Sequence, residues 1–236
     1  MTGSGQLKSD LKVSRETIEG KVYFIVSGLD RAYYGAVKGL NFQETENGFA
    51  RIFPATTPSL DRIYQSFALH AEEMILQAAG ALQPHWESAL AHFIERTKRE
   101  NVDWWLTGSA ALAIREVGIV PRDIDLVTTG SDAQRLGNLL SDWLVEPVQQ
   151  AEGWVAKWFG RAYHHSRIEW VGDVEASVDR TAPTDLGPTA AEKLEVVHWR
   201  GHEIRVPPLE LQLKVSERRG LNERANKIRE IIGTIH

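Results

Sequence analysis

The chain has 236 residues, of which 42% are hydrophobic and 25% charged, so it can bury a substantial core. It contains no cysteine, which excludes disulfides, thiol catalysis and cysteine-ligated zinc. Its formal net charge of −5 argues against a protein that binds nucleic acid over its whole surface. No segment has the continuous apolar length of a membrane helix and no signal pattern is present, so we expect no membrane partner and a cytoplasmic location.

The N-terminal part of the chain predicts a small region of strands and helices. Residues 1–19 are interpreted as a disordered start, and 20–100 as an accessory region. The elements predicted in this region are strands at 21–26 and within 32–53, and helices at 60–78 and from 84 onward. We assign the region to an acceptor site or to a homodimer interface, and the sequence leaves both assignments open.

The rest of the chain predicts an α+β fold. A mixed sheet with flanking helices is expected over 101–208, followed by a C-terminal helical tail over 209–236. The predicted strands are 102–106, 124–127, 154–159, 161–171 and 174–178, with a hairpin at 194–206. The predicted helices are 109–116, 132–144, 209–219 and 222–232. Ser131 or Asp132 is expected to cap the second of these helices.

The stretch from Leu106 to Thr128, LTGSAALAIREVGIVPRDIDLVT, is the most informative part of the sequence. Gly108 and Ser109 follow an apolar strand and open a short helix, whose first N–H groups are free to bind a phosphate. Asp123 and Asp125 alternate on the next strand, so both side chains point to one face, about 7 Å apart. Two such carboxylates favour a cation, and Mg²⁺ with a bound triphosphate suits hard oxygen ligands. Solvation alone would explain Asp123 and Asp125, and a simple helix cap would explain Gly108-Ser109. The order and spacing of these two motifs along the chain favour a nucleotide site.

Gly108-Ser109 followed by Asp123-Ile124-Asp125 resembles the signature of the polymerase-β-like nucleotidyltransferase superfamily. The likeness is to its small bacterial and archaeal branch, which includes antibiotic-modifying and toxin-type enzymes, and it covers roughly residues 101–229. The resemblance implies transfer of a nucleoside monophosphate from a triphosphate, with ATP as the expected donor. The acceptor would be a hydroxyl group of a small molecule, a tRNA or a protein. Two Mg²⁺ ions, replaceable by Mn²⁺, are implied as cofactors.

The resemblance also implies a third carboxylate on a later strand, and the segment from Tyr163 to Val178 offers three acids. Glu169 lies between two apolar residues, which is the pattern usual at this position in the superfamily. Glu175 has similar neighbours and is the second choice, whereas Asp173 follows a glycine and is typical of a turn. We therefore predict that Asp123, Asp125 and Glu169 are the catalytic and metal-binding residues.

Four residues are predicted to contact the nucleotide: Gly108, Ser109, Arg122 and Lys214. Arg122 precedes the acidic pair and either neutralises a phosphate or is a solvated turn residue, and both interpretations stay open. Lys214 follows an apolar run that should hold it against the core, and the resemblance implies a basic residue in this helix that reaches the triphosphate. The other basic residues of 218–229 are interpreted as a solvated helical face.

Together these residues predict a metal-assisted transfer. Asp123 and Asp125 would hold the ion that bridges the triphosphate, and Asp125 and Glu169 would share a second ion at the acceptor hydroxyl. Glu169 would then accept the hydroxyl proton. The alternative is a catalytically degenerate nucleotide-binding or partner-binding module of the same fold, which would bind metal without turnover.

His164 and His165 lie just before the strand that is predicted to carry Glu169. Adjacent residues on a strand point to opposite faces, so we expect that the two imidazoles do not easily share one metal ion. One of them could face the cleft, but a functional role is the less favoured interpretation.

Overall fold

A computed structural model of the chain describes residues 11–151 and 153–235. The strands are β1 (Lys12–Ile18), β2 (Lys21–Ser27), β3 (Gln43–Thr45), β4 (Gly48–Pro54), β5 (Trp104–Thr107), β6 (Asp123–Thr128), β7 (Leu144–Gln150), β8 (Ala156–Tyr163), β9 (Arg167–Val174), β10 (Glu195–Trp199) and β11 (His202–Val206). The helices are α1 (Tyr34–Gly39), α2 (Leu60–Ala78), α3 (Trp86–Thr97), α4 (Gly108–Ala113), α5 (Gly130–Leu139), α6 (Pro188–Ala191), α7 (Leu209–Arg218) and α8 (Asn222–Ile235). Short 3₁₀ helices lie at Arg31–Tyr33 and Ala176–Asp179.

The central sheet has five strands in the order β5-β6-β9-β8-β7. Strands β6 and β9 are parallel, and the other neighbours are antiparallel, so the sheet is mixed and the predicted α+β class is confirmed. The parallel register places Asp125 opposite Glu169 and Asp123 opposite Arg167. Two strands that are distant in sequence therefore bring their charged residues to one place on the sheet.

The alternation of apolar and charged residues explains why β6 and β9 hold their acids on one face. Ile124 and Leu126 are buried on the opposite face of β6 from the two aspartates, and Ile168 and Trp170 are buried on β9. The indole of Trp170 donates a hydrogen bond of 3.0 Å to the Ala133 carbonyl on α5. This helix packs against β7, β8 and β9 and covers that face of the sheet.

The N-terminal region forms a second, antiparallel sheet in the order β1-β2-β4-β3. Helix α2 packs against it through aromatic contacts, with the Phe24 ring centroid 5.3 Å from that of Tyr64 and 5.4 Å from that of Phe67. The same helix packs against β7 of the central sheet, and one continuous apolar core joins the two sheets. None of the helices in the described ranges is long and apolar enough to cross a bilayer.

In the N-terminal region the strand predicted at 21–26 is confirmed as β2, and β3 and β4 are the strands predicted within 32–53. Two other predictions are wrong. Residues 1–10 lie outside the described residues, but Lys12–Ile18 form strand β1 where a disordered start was expected. The segment expected to contain strands within 32–53 begins with helical turns, because the Asp30 carboxylate accepts a hydrogen bond from the Ala32 N–H and caps them. The two longer helices are confirmed as α2 and α3.

In the central sheet most predicted elements are present, but several boundaries differ. The single strand predicted at 161–171 is wrong, because a turn at 164–166 divides it into the end of β8 and the start of β9. Helix α5 starts at Gly130, because the Thr129 hydroxyl accepts a hydrogen bond from the Asp132 N–H and caps it, so the cap predicted at Ser131 or Asp132 is wrong. The helix ends before the unpredicted strand β7. Strand β8 continues through Gly160, since a Cβ there would lie 2.2 Å from the Trp170 ring and glycine makes room for the indole. The strand predicted at 174–178 is largely a 3₁₀ helix. The hairpin turn predicted near Arg200-Gly201 is confirmed.

Candidate active site

Strands β6 and β9 bring three carboxylates together on one face of the sheet. Asp123 and Asp125 are half-buried on β6, and Glu169 lies opposite Asp125 on β9. Glu175 lies beyond the end of β9, and Asp173 accepts a hydrogen bond of 2.6 Å from the Gly130 N–H at the start of α5. Of the three acids considered for the third position, Glu169 is therefore the one beside the acidic pair.

Gly108 lies directly against the carboxylate of Asp125. A Cβ atom at position 108 would lie 2.4 Å from Asp125 Oδ2, and the backbone φ of +63° is itself one that favours glycine. The Gly108 carbonyl accepts a hydrogen bond of 3.1 Å from the Gln212 side chain on α7. The glycine thus allows the start of α4, with Ser109, to pack closely against Asp125.

The surroundings of Asp125 are strongly anionic. Burial, followed by the charges of Asp123 and Glu169, raises the pKa of Asp125 well above its ordinary value. Asp185, in the loop before α6, adds to this effect, and burial also raises the pKa of Asp185. The Asp185 carbonyl accepts a hydrogen bond of 2.8 Å from the Thr107 hydroxyl, which fixes the loop beside the site. The sequence analysis missed Asp185, because a loop residue has no periodicity that indicates its position.

Arg167 bridges two of the carboxylates. Its guanidinium donates to Asp123 Oδ2 at 2.6 Å and to Glu169 Oε1 at 2.8 Å. Burial alone would raise the pKa of Glu169, but the charges of Arg161 and Arg167 outweigh it, and the pKa is lowered. Arg167 was missed in the sequence, although its position two residues before Glu169 on a strand indicates the same face.

A buried chain of ion pairs connects Glu169 to the N-terminal sheet. Arg161 on β8 donates to Glu169 Oε1 at 2.8 Å and also pairs with Glu146 on β7. Glu146 in turn accepts from Arg51 on β4 at 2.6 Å, and Arg161 donates to the Leu40 carbonyl at 3.0 Å. The third carboxylate is therefore held in place by residues from both sheets.

Two cavities meet at Asp123 and Arg122. The first, of about 680 Å³, lies toward the C-terminal helix α8 and is also lined by Ser109, Arg224 and Lys227. The second, of about 590 Å³, lies on the side of α1 and the end of α2, where its walls are mostly small residues. It reaches Arg167 and Glu169, so the carboxylate cluster opens to both cavities.

Of the two basic residues predicted to contact the nucleotide, Arg122 lines both cavities, whereas Lys214 does not. Lys214 is exposed on α7, so the expectation that it packs against the core is wrong, and it lines neither cavity. The residue of α7 that faces the site is Gln212, whose side chain donates a hydrogen bond to the Gly108 carbonyl. Arg224, which was interpreted as part of a solvated face, is half-buried in the wall of the larger cavity. Burial and then the charge of Arg219 lower the pKa of Arg224, although Asp185 acts in the opposite direction.

The carboxylates differ in how readily they could hold a metal ion. Asp125 is buried among like charges with no hydrogen-bonded cation among the described residues, which is the environment that a divalent ion would relieve. Glu169 Oε1 already accepts two guanidinium N–H groups, and Arg167 lies between Glu169 and Asp123. Asp125 and the second oxygen of Asp123 are therefore the carboxylate donors without a bound guanidinium among the described residues, and an ion that also binds Glu169 would require Arg167 to move.

The chain resembles several solved structures. No protein-family model and no curated protein sequence matches it. A protein from Thermotoga maritima, provisionally assigned as a nucleotidyltransferase, is 23% identical over 63% of this chain and 92% of its own, with a TM-score of 0.48. A lincomycin-bound lincosamide antibiotic adenylyltransferase is 12% identical over 63% of this chain and 99% of its own, with a TM-score of 0.46. ANT(2″)-Ia in complex with adenylyl-2″-tobramycin is 17% identical over 63% of this chain and 90% of its own, with a TM-score of 0.41.

Proposed function

We propose that the chain is a Mg²⁺-dependent nucleotidyltransferase that moves a nucleoside monophosphate from a triphosphate, preferably ATP, to a hydroxyl group of an acceptor. The observation that carries the proposal is the pair Asp123 and Asp125 on one face of β6, packed against Gly108-Ser109 at the start of α4. Glu169, opposite Asp125 on the neighbouring parallel strand, is the third acid. A solvated acidic strand would not bury Asp125 among other carboxylates, because such burial costs free energy without a cation.

Asp123 and Asp125 are the proposed ligands of Mg²⁺. Their carboxylate oxygens are the hard donors that Mg²⁺ prefers, and the ion keeps further positions for phosphate oxygens and water. When bound, Mg²⁺ would supply positive charge that neutralises the triphosphate and the charge that develops in transfer. Mn²⁺ is expected to replace it, since carboxylates suit both ions.

The cavity of about 680 Å³ is the proposed triphosphate site. Ser109, Arg122, Arg224 and Lys227 line it beside Asp123, so a hydroxyl group and three cationic side chains would surround the phosphates. Arg224 is half-buried and forms no ion pair within the described residues, which leaves its guanidinium free for a phosphate. The backbone N–H of Ser109 at the start of α4 is a further expected donor.

The cavity of about 590 Å³ is the proposed acceptor site, which gives the N-terminal region a role in binding. Its volume suits a molecule of drug size, and its charged lining of two arginines and two acids would favour a polar acceptor such as an aminoglycoside. Glu169 reaches this cavity and is the proposed acceptor of the hydroxyl proton. This step requires release of a bond from Arg167, because a carboxylate paired with two guanidinium groups is a weak base.

The experiment that tests the proposal is titration calorimetry of each of the four ribonucleoside triphosphates with Mg²⁺, followed by an activity assay. Wild type is expected to bind one triphosphate in a Mg²⁺-dependent manner, and Asp125→Asn is expected to lose this binding. Pyrophosphate release is then measured with aminoglycosides, lincosamides and tRNA as acceptors. Absence of metal-dependent binding for every triphosphate would contradict the proposal.

A second candidate function is a non-catalytic nucleotide-binding module of the same fold. The observation that favours it is Arg167, which bridges Asp123 and Glu169 where the two-ion mechanism requires a metal ligand. This candidate predicts Mg²⁺-dependent triphosphate binding without pyrophosphate release for any acceptor. It also predicts that Arg167→Met does not create activity, because the remaining site would not be organised for transfer.

A further inference from the structure

Three histidines lie together at the turn between β8 and β9, outside both cavities of the candidate active site. His164 and His165 form this turn, and His92 reaches it from α3. One imidazole nitrogen from each residue lies within 4.8 Å of the other two. Among the described residues, this is the one group of three or more His, Asp or Glu side chains whose ligand atoms gather in this way.

The backbone at His165 explains how two adjacent histidines face the same point. The φ of His165 is +64°, which is a left-handed turn conformation and not the extended one assumed from the sequence. The assumption that His164 and His165 lie on a strand and point to opposite faces is therefore wrong. Their ring centroids are 4.4 Å apart, and the His92 ring lies 4.8 Å from His164 and 5.5 Å from His165.

The hydrogen bonds of the cluster leave nitrogen lone pairs available. His92 Nδ1 lies 2.7 Å from the Ser88 carbonyl, so it carries the proton and leaves Nε2 as a free acceptor. His164 Nε2 is buried and has no hydrogen-bond partner among the described residues. A buried nitrogen without a partner costs free energy, and a metal ion would satisfy it.

The environment also favours the neutral form of His164, which is the form that binds a metal. Burial, followed by the neighbouring His165 and His92, lowers the pKa of His164 to about 4. Its ring stacks on Trp143 with centroids 4.1 Å apart, so the imidazole plane is held in one orientation. The stacking on Trp143 therefore fixes the His164 imidazole in place.

We propose that His92, His164 and His165 form a transition-metal site of the Zn²⁺ type that fastens helix α3 to the β8–β9 turn. Neutral imidazoles suit Zn²⁺ and similar borderline ions, and do not suit Mg²⁺. Zn–N bonds of about 2.0–2.1 Å in tetrahedral geometry require nitrogens about 3.4 Å apart, so small side-chain rotations would close the site. A water molecule is expected at the fourth position, since three protein ligands leave one open.

The test is titration of Zn²⁺ alone into untagged full-length Asp125→Asn protein, a background that weakens metal binding at the carboxylates. One Zn²⁺ per chain is expected to bind and to raise the melting temperature. Adding His92→Ala to this background should weaken Zn²⁺ binding by at least about 10-fold and abolish the thermal shift. His92 is exposed, so its removal leaves the core intact.

His198→Ala is the matched control, because His198 is an exposed histidine on β10 outside the cluster. It should bind Zn²⁺ like the parent, whereas His164→Ala should lose binding as His92→Ala does. With Co²⁺ as the probe, the intense visible absorption of a four-coordinate site should be present in the parent and absent in His92→Ala. Unchanged Zn²⁺ affinity in His92→Ala, or no Zn²⁺ binding by the parent, would overturn the proposal.

Discussion

Asp125 and Glu169 lie opposite each other on adjacent parallel strands, yet the pKa values of their carboxyl groups are shifted in opposite directions. Burial raises the pKa of both groups, but Glu169 accepts hydrogen bonds from the guanidinium groups of Arg161 and Arg167. Asp125 has Asp123 and Asp185 nearby instead. Glu169 is therefore charged and compensated within the protein, whereas Asp125 requires a cation from outside.

This difference predicts that Asp125→Asn stabilises the metal-free protein while it abolishes function. The amide keeps the shape of the side chain and removes a buried charge that has no cationic partner, so we expect a gain of about 0.5–2 kcal/mol in the free energy of unfolding. Transfer activity should fall by at least about 100-fold, because the metal ligand is lost. Urea unfolding in EDTA and an assay of pyrophosphate release measure the two effects. Destabilisation by Asp125→Asn would contradict this account.

Glu169→Gln should have the opposite effect on stability. It leaves the buried guanidinium groups of Arg161 and Arg167 without their shared carboxylate, which is expected to cost about 3–5 kcal/mol. Glu175→Gln is the control, since Glu175 lies beyond β9, and it should change the free energy of unfolding by less than about 0.5 kcal/mol. Equal urea midpoints for the two variants would show that the guanidinium groups find other partners.

The raised pKa of Asp125 also predicts a pH-dependent response to Mg²⁺. In the metal-free protein, the stability from protonated Asp125 is fully present below the ordinary pKa of 3.8 and is lost as the pH rises through the raised value. Because Mg²⁺ competes with this proton, the rise in melting temperature on adding Mg²⁺ should grow with pH through the same window. Thermal unfolding with and without Mg²⁺ at several pH values measures this rise in melting temperature. In Asp125→Asn the rise should not increase with pH.

Gly108→Ala should lower the free energy of unfolding by more than an alanine in a left-handed conformation ordinarily does, because its Cβ would displace Asp125. Gly118 is the matched control, because it has a similar φ of +72° but no atom within 4 Å of the added Cβ. Gly118→Ala should cost about 1–2 kcal/mol for the backbone alone, and Gly108→Ala about 1–3 kcal/mol more because of the contact with Asp125 Oδ2. Urea unfolding compares the two variants, and calorimetry should show weaker Mg²⁺-dependent triphosphate binding for Gly108→Ala than for wild type. Similar losses in the free energy of unfolding for both variants would mean that the start of α4 shifts to accommodate the added Cβ.

Arg224 and Lys214 provide a test of the triphosphate cavity. Arg224→Ala removes a half-buried cation from its wall, and the dissociation constant of the Mg²⁺–triphosphate complex should rise by about 10- to 100-fold. Lys214→Ala removes an exposed cation from α7 and should leave the constant within about 2-fold. Titration calorimetry at two salt concentrations measures the dissociation constants of both variants. A larger effect for Lys214→Ala would restore the assignment made from the sequence.

The sequence by itself determined the elements whose causes are local. The alternation of apolar and acidic residues placed Asp123 and Asp125 on one face of a strand, and the period of 3.6 residues placed α2. Gly108 and its φ of +63° also follow a local rule, since a glycine between a strand and a helix indicates an unusual backbone. The α+β class follows from the order of these elements.

The tertiary structure decided which distant charges surround these residues. Arg161 and Glu146 are brought to Glu169 by strand order and register, which no spacing along the chain encodes. Helix α7 exposes Lys214, because the buried stripe of an amphipathic helix is set by the surface on which it packs. The left-handed residue His165 likewise turns two adjacent imidazoles toward one point. Local patterns thus identified Asp123 and Asp125, and long-range packing placed the other charged residues around them.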